Sequence, residues 1–393
     1  MWNSWKEKNA TRQIHPNLWK MRNRKIIIAG GGTGGHIFPA LAIAQALRQV
    51  QPDTEILFVG ARGKMEMEKI PEAGYRIEGI DMAGFDRSSI WKNLALPVKL
   101  IRSFFQVKHI FKSFMPDGVI GVGGYSTYPV LRYAQAINIP TFIHESNSFA
   151  GKANIWLGRK ATRVFVASEG MESFFPPSRM VITGNPVRHS ITGSTLSRED
   201  GLRFFGLDPR RKTIMSIGGS LGARSINESV AAGLDALESA GLQLIWQTGK
   251  PFAGQAATAV KGRSGIWTGP FIREMQYAYA AADIIISRAG AMSVAEVEVM
   301  RKPAVFVPYP LAAEDHQTAN AKRLSDKGAA LMVSDAEAQT KLIPLVLMLA
   351  SDEAMRQKMG DKAGEMAVPD ADEHIAKLVL EGIDEKLKAD ERS

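Results

Sequence analysis

The chain has 393 residues, 45% of them hydrophobic, a formal net charge of +9 and no cysteine. Length and apolar fraction suit two globular domains with sizeable cores, and the lack of cysteine excludes disulfides, thiolate chemistry and cysteine zinc sites. No apolar run reaches the ~20 residues of a membrane-spanning helix, and no nucleic-acid-binding motif accompanies the positive charge, which suits a phosphorylated substrate or an anionic lipid surface instead.

Residues 1–23 lack both periodicity and the apolar core of a signal peptide, and read as a disordered extension. The fold begins at Ile26-Ile27-Ile28-Ala29, a β-branched run that enters Gly30-Gly31-Gly32-Thr33-Gly34-Gly35-His36 and then a helical pattern. Strand, glycine turn and helix start leave unpaired N–H groups aimed at the turn, which suits an anion such as phosphate. Gly30, Gly32 and Gly35 also match the loose G-x-G-x-x-G dinucleotide pattern. A dinucleotide site would carry an acid at the end of the second strand, for the ribose. Here the strand Glu55–Val59 runs into Gly60-Ala61-Arg62-Gly63-Lys64, which speaks against NAD. A short helix over Met65–Ala73 and a third strand over Tyr75–Ile80 follow.

Residues 91–115 are rich in apolar side chains, among them Trp91, Ile101, Phe104, Phe105, Ile110, Phe111 and Phe114, interleaved with Lys92, Lys99, Arg102, Lys108 and Lys112. Two readings stand: a crossover helix that buries its aromatics, or a surface that rests partly on an anionic bilayer. A fourth strand, Val119–Val122, ends in Gly123-Gly124-Tyr125, and a fifth, Thr141–Ile143, ends in His144-Glu145-Ser146-Asn147. Open α/β sheets place their ligands at such carboxyl ends. Strands over Val164–Val166 and Met180–Ile182 close this half.

Residues 189–212 are linker-like, and then the opening pattern restarts. Thr213–Ile217 enters Gly218-Gly219-Ser220-Leu221-Gly222-Ala223 and a helix. Strands near Leu242–Trp246, Gly265–Thr268, Asp283–Ser287 and Ala304–Val307 alternate with helical stretches, and right-handed crossovers make the sheet parallel. The last segment, residues 352–388, is helical; Asp370 and Asp372 within it read as helix-start acids rather than a metal site.

The expected fold is α/β, with two Rossmann-like, doubly wound parallel-sheet domains around a central cleft. The expected division is the extension to residue 23, domains over 24–188 and 189–365, and a terminal helix and tail over 366–393. Three side chains stand out chemically. Glu296, in the first turns of a helix after the turn at Arg288-Ala289-Gly290, can accept from both hydroxyls of a ribose. Gln317 carries a donor and an acceptor suited to sugar hydroxyls. His36 sits at a helix start, where the dipole favours the neutral ring, able to serve as a base or a hydrogen-bond partner. Each also has a purely local reading, as a dipole-favoured acid, a solvated amide and a locally bonded ring.

Taken together, GGGTGGHIFPALA, ARGKME, GVGGYSTYP, IHESN, TGNPVR, IGGSLGAR, SRAGAMSVAE and EDHQTANA stand in an order and spacing similar to the MurG family. The resemblance runs from about residue 24 to the C-terminus. It implies a GT-B fold and transfer of N-acetylglucosamine from UDP-N-acetylglucosamine to lipid I at the cytoplasmic face of the bacterial plasma membrane, by a peripheral enzyme without metal or cofactor. It further implies cell-wall synthesis or division proteins as partners. By this resemblance Ile272, Ala291, Met292, Ser293, Val294 and Ala295 frame the uracil and diphosphate, with Glu296 on the ribose. Ser220 and Arg188 contact phosphate, and Gln317 the sugar. Thr33, Gly34, Gly35 and Asn147 approach the donor from the other domain, and Gly124 and Tyr125 meet the acceptor diphosphate. His36 is the first candidate base; Glu145 is the second, as base or as the group that orients it. His316 stands where some relatives carry Gln. The alternatives are another GT-B sugar-nucleotide transferase, a UDP-N-acetylglucosamine 2-epimerase, an NAD(P) oxidoreductase, and an inert nucleotide-binding or scaffold protein.

Overall fold

The computed structural model describes residues 23–82, 96–219 and 221–392, with backbone alone for residues 96–99 and 313. The first sheet has seven parallel strands, β1 (Lys25–Ala29), β2 (Glu55–Ala61), β3 (Arg76–Ile80), β4 (Gly118–Gly121), β5 (Thr141–Glu145), β6 (Arg163–Val166) and β7 (Met180–Ile182), in the order 3-2-1-4-5-6-7. The second has six, β8 (Thr213–Ile217), β9 (Gln243–Gln247), β10 (Ile266–Gly269), β11 (Ile284–Ser287), β12 (Ala304–Phe306) and β13 (Leu331–Met332), in the order 10-9-8-11-12-13. Helices cover both faces of each sheet, which is why Ile26, Ile27, Ile28 and Ala29 are all buried in one unbroken apolar run.

Both sheets reverse their winding at one place, between β1 and β4 and between β8 and β11. The crevice outside the strand ends at such a switch point is where this architecture holds ligands. The glycine turns stand there: Gly30–Gly35 after β1 and Gly123–Gly124 after β4 in one domain, Gly218–Gly222 after β8 and Arg288–Gly290 after β11 in the other.

The C-terminus departs from expectation. The helical segment 352–388 holds two helices, Glu353–Glu365 and Ala371–Glu391, the second starting at Asp370 and Asp372 as read from the sequence; where it packs is the departure. The first stays with the second domain, packing on the helix Ala291–Val299. The second crosses back and places Ile375, Ala376, Val379 and Ile383 in the core around Ile26, Ile43 and Leu47. Arg24 pairs with Asp384 at 2.5 Å, and Arg163 reaches Glu381 and Glu385, both at 3.3 Å. The terminal helix, expected to stand apart over 366–393, is thus part of the first domain's core. Its apolar stripe has helical spacing, but nothing local in it names the surface it covers. β13, two residues long, is the strand without a periodic signal.

Candidate active site

The glycine turn after β1 is braced by a buried carboxylate. Glu66, from the helix Glu66–Glu72, accepts from Gly32 N–H at 2.7 Å and from Ala61 N–H at 3.0 Å. The carboxyl lies so close that a Cβ on Gly31 would come within 2.3 Å of Glu66 Cδ, and one on Gly60 within 2.5 Å of Cγ. Glycine at 31 and 60 therefore makes room for the brace. This narrows the anion site that the sequence suggests, because the Gly32 amide is already taken. Gly30 N–H goes to the Val59 carbonyl and Gly31 N–H to that of Gly123. What remains for a ligand is Thr33, Gly34 and Gly35, at the start of the helix Gly34–Val50, whose amides have no intrahelical acceptor.

The second turn of this domain leans on the first. Gly124 has φ of +92°, and a Cβ there would meet the Gly31 carbonyl oxygen at 2.4 Å. Tyr125, next in the turn, is half exposed. His36 is fixed between the two turns. Its Nδ1 lies 3.0 Å from the Gly31 carbonyl oxygen. A carbonyl only accepts, so Nδ1 carries the proton and Nε2 is left as the acceptor. A Cβ on Gly123 would fall 2.7 Å from that Nε2, so the free nitrogen faces the turn after β4. Burial lowers the His36 pKa below its ordinary value, against the Gly31 bond and the Glu145 charge, which raise it; His316 across the cleft lowers it further.

Glu145 is buried and fully occupied. One oxygen accepts from the Asn147 backbone and side chain at 3.1 and 3.3 Å, the other from Gly151 N–H at 3.0 Å and Asn154 Nδ2 at 2.9 Å. Four donors fold the loop 146–151 around one carboxyl and leave it no direct bond to His36. Asn147 is accordingly spent on Glu145. His144 beside it is fully buried, and burial pulls its pKa down to about 4.

In the second domain, the helix Ala291–Val299 starts at Gly290 and turns the amides of Ala291, Met292 and Ser293 toward the cleft. Ala291, Met292, Val294 and Ala295 are buried, and Ser293 is partly exposed. Glu296 is held on both oxygens, by Arg188 Nη2 at 3.0 Å and by the Tyr279 hydroxyl at 2.7 Å. Tyr279 is fully buried, which pushes its pKa well up and keeps it a donor. Arg188 also lies 4.6 Å from the centre of the Phe38 ring, on the helix Gly34–Val50. Arg188 is therefore engaged with Glu296 and Phe38. Ile272 is buried, its N–H 3.3 Å from Gln247 Oε1. Gln317 accepts from Tyr309 N–H at 2.9 Å, which leaves its NH2 free to donate. Ser220 lies outside the described residues.

Two buried amides join the domains at the cleft floor. Asn185 Nδ2 donates to the Ser146 and Ala291 carbonyls at 3.0 and 3.4 Å. Asn320 accepts from Ser148 N–H and donates to the Ala289 carbonyl, both at 3.1 Å. The loop after β5 and the helix starts of the second domain are thereby held together.

The model of the glycosyltransferase family 28 N-terminal domain matches residues 26–166, and that of the C-terminal domain matches residues 213–375. A UDP-N-acetylglucosamine–N-acetylmuramyl-(pentapeptide) pyrophosphoryl-undecaprenol N-acetylglucosamine transferase of Bacteroides fragilis is 47% identical over 360 residues, 91% of this chain and 95% of that one. The same transferase of Cytophaga hutchinsonii is 47% identical over 93% of this chain and 98% of its own. The crystal structure of Acinetobacter baumannii MurG superposes with a TM-score of 0.71 at 30% identity, covering 92% of this chain and all of that one. The chain belongs to the MurG family.

The MurG family fold is GT-B, and the two switch-point crevices described above face one cleft. A UDP-N-acetylglucosamine 2-epimerase of Neisseria meningitidis shares the fold, with a TM-score of 0.64 at 13% identity, a likeness of architecture alone. Four contributors to the cleft are given no role in the sequence reading: Glu66, Tyr279, Asn185 and Asn320. Glu66, Asn185 and Asn320 stand inside the family-like motifs, in ARGKME, TGNPVR and EDHQTANA, so position was a usable signal. Tyr279, in an alanine-rich helix, carried none.

Proposed function

We propose that the chain transfers N-acetylglucosamine from UDP-N-acetylglucosamine to the muramyl 4-hydroxyl of undecaprenyl-pyrophosphoryl-N-acetylmuramyl-pentapeptide, lipid I, making lipid II for peptidoglycan. The carrying observation is the His36 ring, neutral and fixed in one tautomer, with Nε2 facing the turn assigned to the acceptor diphosphate. The 4-hydroxyl gives its proton to Nε2 as its oxygen bonds the anomeric carbon; the bond from that carbon to the UDP oxygen breaks, and the configuration inverts. UDP leaves with the bonding pair. The helix starts at Thr33–Gly35 and Ala291–Ser293 face the departing charge, joined by Arg188 once a ribose takes its place on Glu296. Glu145 acts as the clamp of the loop 146–151 and as a charge near His36, not as a proton acceptor, since four donors fill its oxygens. Gln317 donates to a sugar hydroxyl.

The enzyme works at the cytoplasmic membrane face. Ile101 and Phe105 on the helix Leu96–Phe114 are 60% and 69% exposed, beside exposed Arg102, Lys108 and Lys112, while Val107, Ile110, Phe111 and Phe114 face the core. Over residues 100–115 one side of this helix is buried in the core, and the exposed side is the one we assign to the anionic bilayer. No described helix is long and apolar enough to cross a bilayer.

Incubation with radiolabelled UDP-N-acetylglucosamine and a lipid I analogue tests the assignment. The expected product is the labelled disaccharide-linked lipid. Formation of UDP-N-acetylmannosamine without acceptor would favour the epimerase; no turnover and no nucleotide binding would favour a scaffold.

A further inference from the structure

The helix Thr127–Ala136 begins directly after the turn Gly123–Tyr125. Tyr128 and Arg132, at i and i+4, share one side of this helix, and Tyr125 stands in the turn just before its start, so the row leads away from the turn. The helix Lys152–Gly158 supplies Trp156, 48% exposed, with its ring centre 5.6 Å from that of Tyr128. The Arg132 guanidinium lies 5.6 Å from the centre of the same indole. Among the described residues Arg132 has no hydrogen bond and no ion pair; its guanidinium rests against the indole face. A guanidinium stacked on an aromatic face keeps its N–H edge open, and that edge is matched by a carboxylate.

We infer that Tyr128, Trp156 and Arg132 form a subsite for the carboxylate-bearing peptide of the acceptor, with Arg132 as the carboxylate partner. The inference rests on the acceptor assigned under Proposed function. Reach supports it. At about 1.5 Å of rise per residue, Arg132 lies about 8 Å along the helix from its first residue, Thr127, which follows the turn. An extended pentapeptide spans up to about 17 Å, enough to bridge that gap from a muramyl group held at the turn. The aromatic shelf between them is a surface for the methyl and methylene groups along the way. The row continues from the acceptor turn, whereas the exposed Ile101 and Phe105 lie on a different helix.

The test compares two water-soluble acceptor analogues, one with the full peptide and one ending at the lactyl amide, for the wild type and for Arg132→Ala, Arg132→Lys and Trp156→Phe. The subsite predicts that the wild type has the lower KM for the peptide-bearing analogue. Arg132→Ala reduces that preference about tenfold, with kcat little changed, and Arg132→Lys restores part of it. Trp156→Phe keeps an aromatic face and most of the preference. Equal KM values in the wild type, or an equal rise for both analogues in Arg132→Ala, would overturn the inference. So would a variant that keeps the preference but loses binding to anionic phosphatidylglycerol vesicles, which would make Arg132 a lipid contact. Turnover of neither analogue by the wild type would defeat the transferase assignment itself, a result distinct from lost discrimination.

Discussion

Glu66→Gln removes one charge and almost no volume, and the structure says what that does. The carboxyl is 1% exposed and accepts from two backbone amides on separate segments, Gly32 and Ala61. Glutamine offers one acceptor oxygen, so one amide is left facing an NH2 group. A hydrogen bond to a charged group contributes about 1.5–3 kcal/mol, and an unsatisfied buried donor costs about 1–3 kcal/mol. These overlap rather than add, so the variant should lose about 2–4 kcal/mol of stability. Function should fall too, because the same turn carries the Gly31 carbonyl that sets the His36 tautomer. Urea unfolding gives the stability; steady-state transfer to a soluble acceptor gives kcat, expected to drop at least tenfold with a smaller change in donor KM. A loss below about 0.5 kcal/mol with unchanged kcat would refute the reasoning. The backbone bonds of Gly30 and Gly31 would then hold the turn by themselves.

Acidification should destabilise the fold through His144, whose pKa drops from 6.5 to about 4 on folding. The unfolded chain then binds more protons below pH 6.5, so stability falls as pH falls, by about 2 kcal/mol between pH 7 and 5; urea midpoints for His144→Gln should show a shallower slope. Arg188→Ala leaves Glu296, with its side chain 7% exposed, without its cation. Breaking such a pair costs about 3–5 kcal/mol when fully buried, less here because Arg188 is 21% exposed, and calorimetry should find weaker UDP binding. Phe105→Glu with Lys108→Glu should weaken binding to anionic vesicles at least tenfold while transfer to a water-soluble acceptor persists; unchanged binding would reject that face.

The strands other than β13 were legible because a sheet covered on both faces demands apolar runs, and Ile26–Ala29 and Ile284–Ile286 are continuous ones. The helix starts were legible because glycine turns precede them. What stayed hidden depends on partners distant in sequence. Glu66 reads as an ordinary first-turn acid until the folded chain brings Gly32 to it. Glu145 is a different case: its partners Asn147, Gly151 and Asn154 are close in sequence, but that they fill both oxygens appears only once the loop is folded. The terminal helix shows its stripe in Ile375, Val379 and Ile383, but the surface it covers, around Ile26, Ile43 and Leu47, is made more than 300 residues earlier by the first strand and helix. In the cleft, position within a motif could not say which side chain braces another.

The central claim is that His36 Nε2 takes the acceptor proton. Single-turnover transfer by His36→Ala, measured alongside UDP-N-acetylglucosamine affinity by calorimetry, tests it most directly. The account predicts a chemical step slowed about 10²–10⁴-fold with donor affinity within a few-fold of the wild type. A transfer rate within threefold of the wild type would contradict it.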